Sequence, residues 1–124
     1  MVDETRNDHA ARALPFFWSW GLPLAILFST NFMSGLVPFP VIIMMMSGSF
    51  FWMGLACVLN ATRCRRRHCY YSGPIFIAGG AGVLLVGFGI VSFGADGLII
   101  IVWGTLALAL LTYLTEPIFG KYVN

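Results

Sequence analysis

Long uncharged segments alternate with short polar ones along the chain. Three runs contain no Asp, Glu, Lys or Arg, namely 13–62, 69–95 and 97–115. The first run is about twice the length of one membrane-crossing helix, and the segment SGLVPFP at 34–40 within it is typical of a turn. The pattern predicts four apolar helices, at about 15–33, 40–61, 74–93 and 98–115.

The composition supports a membrane location. Hydrophobic residues make up 59% of the chain and charged residues 10%, with a mean hydropathy of +0.86. Soluble domains carry about 25% charged residues. In lipid every backbone N–H and C=O needs an internal partner, which favours helices. We therefore expect an all-α integral membrane four-helix bundle with short loops. Its single domain, at about 14–117, lies between a flexible cytoplasmic tail at 1–13 and a short tail at 118–124.

The basic residues predict an orientation in the membrane. All seven lie before the first predicted helix, between the second and third, or after the fourth: Arg6, Arg12, Arg63, Arg65, Arg66, Arg67 and Lys121. With four crossings these three segments share one side, and Lys and Arg near helix ends are retained on the cytoplasmic side. The sequence thus predicts a multi-pass protein of the inner (plasma) membrane with both termini inside.

Glycines recur at a helical spacing in the third predicted helix. Gly80 and Gly87 are seven residues apart, and Gly82 and Gly89 repeat that spacing beside them. Seven residues is close to two helical turns, so these glycines lie on a stripe. Small residues let helix backbones approach closely in lipid. The stripe predicts a helix-packing face, with a permeation path or a lipid or cofactor against that face as the alternatives.

The segment between the second and third helices concentrates the residues with reactive side chains. Cys64, His68 and Cys69 lie there among four arginines, and Cys57 precedes Cys64 by seven residues. Thiolates select soft metals, so these four residues are candidate ligands for Hg(II), Cu(I) or Zn(II). Alternatively the arginines only anchor the chain at anionic lipid headgroups. In a third interpretation Arg63, Arg65, Arg66 and Arg67 recognise an anionic partner, because guanidinium pairs with phosphate or carboxylate in a bidentate manner.

One string in this segment resembles a signature of small uncharacterised prokaryotic membrane proteins, some of them linked to mercury resistance or other metal handling. It comprises Asn60, Ala61, Arg63, Cys64, Arg66, His68, Cys69, Tyr70, Gly73 and Pro74. The resemblance implies that Cys64, His68 and Cys69 handle the metal, with Asn60, Arg63 and Arg66 shaping the loop. The cysteine pattern departs from the Cys-Cys pairs in the first span of the better-known mercuric transport proteins.

Two functions follow as hypotheses. The first is capture of a mercury- or copper-like ion by cytoplasmic-side thiols and its exchange with cytosolic carriers. The second is an accessory subunit that docks on a larger membrane complex through the glycine-rich helix and the arginine-rich loop. Expected partners are the lipid bilayer and other membrane subunits or a second copy of the chain. Nucleic acid is not expected, because the basic segment is held at a lipid surface. Nucleotide-driven or hydrolytic chemistry is not expected either, since no Walker A, GxGxxG, GxSxG or HExxH string is present. An enzyme that uses a cysteine thiolate as its nucleophile is the least supported alternative, because His68 is the only general base in this segment.

Overall fold

The computed structural model describes the backbone at 13–64, 67–92, 94 and 96–119. The predicted tails at 1–13 and 118–124 lie almost entirely outside these residues. The described part is helical, and its only strand-like feature is an isolated bridge between Ser34 and Val37. We label α1 the helical segment formed by Ala13–Phe16, a π-helical turn at Phe17–Gly21, and Leu22–Ser29. The others are α2 (Phe39–Cys64), α3 (Arg67–Gly87), α4 (Gly97–Tyr113) and the short α5 (Glu116–Phe119).

Contacts between helices show an up-and-down arrangement. At one end, the indole of Trp20 in α1 reaches Cys57 in α2, and the ring of His68 in α3 lies 4.9 Å from that of Tyr113 in α4. Nearer the other end, the rings of Phe28 and Trp103 are 6.1 Å apart. The most extensive packing joins α2 to α3, followed by α3 to α4, while α1 packs mainly on α2. Helices α1 and α4 therefore flank the central α2–α3 pair.

The boundaries of α3 differ from the prediction. The helix begins at Arg67 rather than near residue 74, and it ends at Gly87 rather than near residue 93. Helix α2 continues to Cys64, so the predicted basic loop is largely helical and Pro74 lies inside α3. The polar residues of this segment suggested a loop, but Arg, His, Cys and Tyr are all compatible with helix, since polarity is not what disfavours a helical backbone.

Helix α1 is irregular beside a proline. The N–H of Leu22 donates to the carbonyl of Phe17, which is the five-residue spacing of a π-helical turn. Pro23 follows immediately and has no N–H to donate, so the regular hydrogen bonding of the α-helix is interrupted at this point. The widened turn contains Trp20, whose side chain is buried against α2.

Three of the four predicted stripe glycines contact other helices. A Cβ added at Gly80 would lie 3.2 Å from Phe51, and one at Gly87 would lie 2.6 Å from Ile43, both in α2. Gly82 faces α4 instead, 3.3 Å from Ile101. Gly89 departs from the prediction, because it follows the end of α3 with a φ of 75° and has nothing within 4 Å of its added Cβ. It is a turn residue that uses the left-handed backbone region open to glycine.

Two helices are long and apolar enough to cross a membrane, over Phe39–Thr62 and Arg67–Gly87. Only 39% of the most apolar stretch of each is buried, whereas the core helix of a soluble protein is mostly buried. Helix α4 and most of α1 are apolar but shorter. Large hydrophobic side chains also cover the outside of the bundle, among them Leu55, Leu85, Ile100, Trp103 and Leu110.

Candidate dithiol site

Two cysteines from neighbouring helices meet inside the bundle. Cys57 of α2 is 1% exposed and Cys69 of α3 is 0% exposed, both carry thiols rather than a disulfide, and their side chains are neighbours across the α2–α3 interface. Glycine makes this approach possible. A Cβ at Gly73 would lie 2.9 Å from Val58 Cγ2 and 3.5 Å from the Cβ of Cys57. The small residue thus lets α3 press against the stretch of α2 that carries the thiol.

Cys57 has polar neighbours from two other segments. The indole Nε1 of Trp20 donates to its sulfur at 3.1 Å, and the Ser72 hydroxyl oxygen lies 3.4 Å from the same atom. The single proton of that hydroxyl is donated to the carbonyl of His68 at 2.6 Å. The sulfur of Cys57, a weak acceptor, thus has two polar neighbours in an otherwise apolar setting.

Cys69 has its own polar neighbours. The side-chain amide of Asn60 donates to its sulfur at 3.4 Å, and Nε2 of His68 lies 3.4 Å from that sulfur. Asn60 is completely buried and His68 nearly so. The His68 ring also packs at a tilted angle against the ring of Tyr113, so the imidazole lies between the thiol and α4.

The predicted metal ligands are only partly brought together. Cys57, His68 and Cys69 lie in one cluster, whereas Cys64 ends α2 and its side chain lies outside the described residues, as do the side chains of Arg63, Arg65 and Arg66. Arg67 begins α3 and is partly buried. The sequence predicted that this site lies in a loop. That prediction is corrected, because Cys57, His68 and Cys69 belong to helices and are buried between them. Within the part of the chain the structure describes, no group of three or more His, Cys, Asp or Glu side chains is arranged to hold a metal ion.

Four residues of the cluster were not among the metal ligands predicted from the sequence: Trp20, Asn60, Ser72 and Tyr113. A signal for two of them exists in the sequence, because Asn60 follows Cys57 by three residues and Ser72 follows Cys69 by three. Three residues is close to one helical turn, so each thiol has a polar side chain on its own face. Trp20 and Tyr113 come from α1 and α4, and no local pattern relates them to the cysteines.

The chain matches no protein-family model, no curated protein and no solved structure. The case for a function therefore rests on the chemistry of the dithiol site.

Proposed function

We propose that this chain is a multi-pass inner-membrane protein that binds a soft metal ion between two of its helices. The membrane location is supported by two spanning-length helices, by the apolar exterior of the bundle, and by the confinement of basic residues to segments that adjoin one end of it. Helix α4, with 17 residues, is at the short limit of about 17 residues for a crossing. Four crossings place the α2–α3 connection and both termini in the cytoplasm.

Labelling of single cysteines tests the orientation. Leu36 lies in the turn between α1 and α2 and is 82% exposed, so Leu36→Cys in a chain with all native cysteines replaced by Ser should react with a membrane-impermeant maleimide on intact cells. A chain that keeps only Cys64 should react after lysis and not before. Labelling of Cys64, but not of Leu36→Cys, on intact cells would show that the orientation is reversed.

The observation that carries the metal proposal is that two thiols, Cys57 of α2 and Cys69 of α3, are buried in one cluster with the polar side chains of Asn60, His68 and Ser72. Two thiolates are a complete ligand set for Hg(II) or Cu(I), which are soft ions that accept two sulfur ligands. A structural Zn(II) site needs four ligands, and the cluster has two thiols and one imidazole. The donor set therefore favours the softer ions.

Charge balance favours Hg(II) among these ions. Binding forms two S–Hg bonds and releases two thiol protons, so the dithiolate complex of Hg(II) is neutral, whereas that of Cu(I) keeps a negative charge. A neutral complex avoids the cost of a buried charge between apolar helices.

Titration with Hg(II) against a competing small thiol tests this function. The purified wild type and Cys64→Ser should each bind one Hg(II) per chain and release two protons. Cys57→Ser and Cys69→Ser should each lower the affinity for Hg(II), because each removes a ligand. The loss should exceed the roughly 10- to 100-fold that follows when only a hydrogen bond to a metal ligand is removed. Tight binding that survives both single replacements, or that is lost only with Cys64, would contradict a site at Cys57 and Cys69.

The accessory-subunit hypothesis receives less support from the packing. Gly80, Gly82 and Gly87 already contact side chains of α2 and α4, so this stripe is used within the chain. Contact of Arg63, Arg65, Arg66 and Arg67 with anionic lipid or another anionic partner stays a prediction.

A further inference from the structure

A cavity of about 240 Å³ lies between α1 and α4 and reaches the dithiol site. Its lining includes Cys57, His68 and Ser72 of the dithiol site and the apolar side chains of Met53 and Phe76. Of the two cysteines, Cys57 lines the cavity and Cys69 does not.

The cavity is suited to a neutral and mostly apolar occupant. Among the described residues around it there is no Asp, Glu, Lys or Arg. The indole N–H of Trp20 and the hydroxyl of Ser72 already have partners within the protein. A charged ligand would lose its hydration here without a compensating partner. An apolar group is favoured, and a cavity of about 150 Å³ lined by apolar side chains is large enough for benzene.

The cavity opens at the surface of the bundle between the two outer helices. Three lining residues are well exposed, Phe16 of α1 at 45% and Leu110 and Tyr113 of α4 at 63% and 47%. They belong to helices that pack on the α2–α3 pair rather than extensively on each other. Phe16 is in the first turn of α1 and Tyr113 ends α4, so the opening lies near the end of the bundle that adjoins the α2–α3 connection.

We propose that neutral organic compounds of a soft metal, with one apolar group of about phenyl size, reach Cys57 through this cavity. This inference rests on the proposed metal-binding function and names its substrate class. With phenylmercuric hydroxide, an S–Hg bond forms at Cys57 and the Hg–O bond breaks. The thiol proton leaves with hydroxide as water, and no atom is oxidised or reduced. Such a compound keeps its own carbon ligand and needs only one sulfur, and Cys57 is the one cysteine of the pair that lines the cavity.

Reaction of the purified protein with phenylmercuric acetate tests the route, with Cys64→Ser as the starting chain. Ala109 of α4 lines the cavity and is partly buried, whereas Ala107 of the same helix is exposed and lies outside it. Ala109→Trp should slow the modification of Cys57 about tenfold or more, because the rate of a thiol depends on access to it. Ala107→Trp should leave the rate unchanged. Peptide mapping of the mercury adduct identifies the modified cysteine.

A second comparison needs no cavity variant and so does not depend on the folding of Ala109→Trp. The anionic reagent p-mercuribenzenesulfonate has the same reactive atom, and it should modify Cys57 about a hundredfold more slowly than the phenyl compound, because its charge must be desolvated. Equal rates for the two reagents, or equal rates for Ala109→Trp and Ala107→Trp, would overturn the route. Hg(II) binding measured on the same samples separates the two proposals. If either pair of rates is equal but Hg(II) still binds, only the cavity route is refuted. If Hg(II) does not bind, the metal-binding function is refuted.

Discussion

Mild oxidation of the Cys64→Ser chain is expected to join Cys57 and Cys69 in an internal disulfide. The two thiols belong to α2 and α3, are buried, and are neighbours across the interface of these helices. Disulfide formation requires neighbouring Cβ atoms about 3.5–4.5 Å apart, which close helix packing at Gly73 favours. Alkylation after oxidation, followed by mass spectrometry, should show that both thiols have been lost in nearly every chain.

The cysteine replacements provide the controls for this reaction. Cys57→Ser and Cys69→Ser in the same Cys64→Ser background leave one thiol, which should remain fully alkylated after oxidation. Prior saturation with Hg(II) should protect both thiols from the oxidant if they are its ligands. Two alkylated thiols remaining after oxidation of the parent chain would show that α2 and α3 do not bring these side chains together.

Replacement of Gly54 by Ala is expected to disrupt the packing of α2 on α3. A Cβ at this position would lie 2.7 Å from Ile77 Cγ1, 3.0 Å from the carbonyl oxygen of Gly73, and 3.1 Å from the backbone nitrogen of Ile77. Two of these atoms are backbone, so α3 must move as a unit to relieve the clash. We expect the free energy of unfolding to fall by about 1–3 kcal/mol or more, the usual cost of an overpacked interior.

A matched control lies on the same helix. Nothing lies within 4 Å of a Cβ added at Gly48, so Gly48→Ala should leave stability unchanged or raise it by about 0.5–1 kcal/mol, since Ala favours a helical backbone over Gly. Unfolding by titration with a denaturing detergent measures both variants. Because Gly54 lies one turn before Cys57, Gly54→Ala should also lower the yield of the Cys57–Cys69 disulfide. Equal stability and equal yield in the two variants would mean that α2 and α3 are not in close contact here.

Much of the fold was predictable from local patterns. The uncharged runs and the turn residues that separate them indicated four apolar helices, and the structure has four long helical segments near those positions. The largest error concerned the segment after Thr62, where a cluster of polar residues was interpreted as a loop. Helix α2 extends to Cys64 and α3 begins at Arg67, because helix formation depends on backbone and side-chain entropy and not on hydropathy.

The candidate site was predictable only in part. The presence of Cys57, His68 and Cys69 near one connection suggested thiol chemistry, but a C-x4-C spacing does not show which two sulfurs meet. In the structure Cys57 faces Cys69 because α2 and α3 run antiparallel from a short connection. Asn60 and Ser72 follow from helical spacing, whereas Trp20 reaches the site through an irregular turn before Pro23.

The sequence by itself determined that the chain is helical and apolar outside, and where its basic residues lie, because these properties depend on the order and chemistry of neighbouring residues. The tertiary structure alone decided that one thiol from α2 meets one from α3 beside a cavity between α1 and α4. That pairing depends on how closely the helices approach and how each is rotated about its axis. Both are set by contacts between residues distant in sequence, such as Gly54 with Ile77 and Gly73 with Val58.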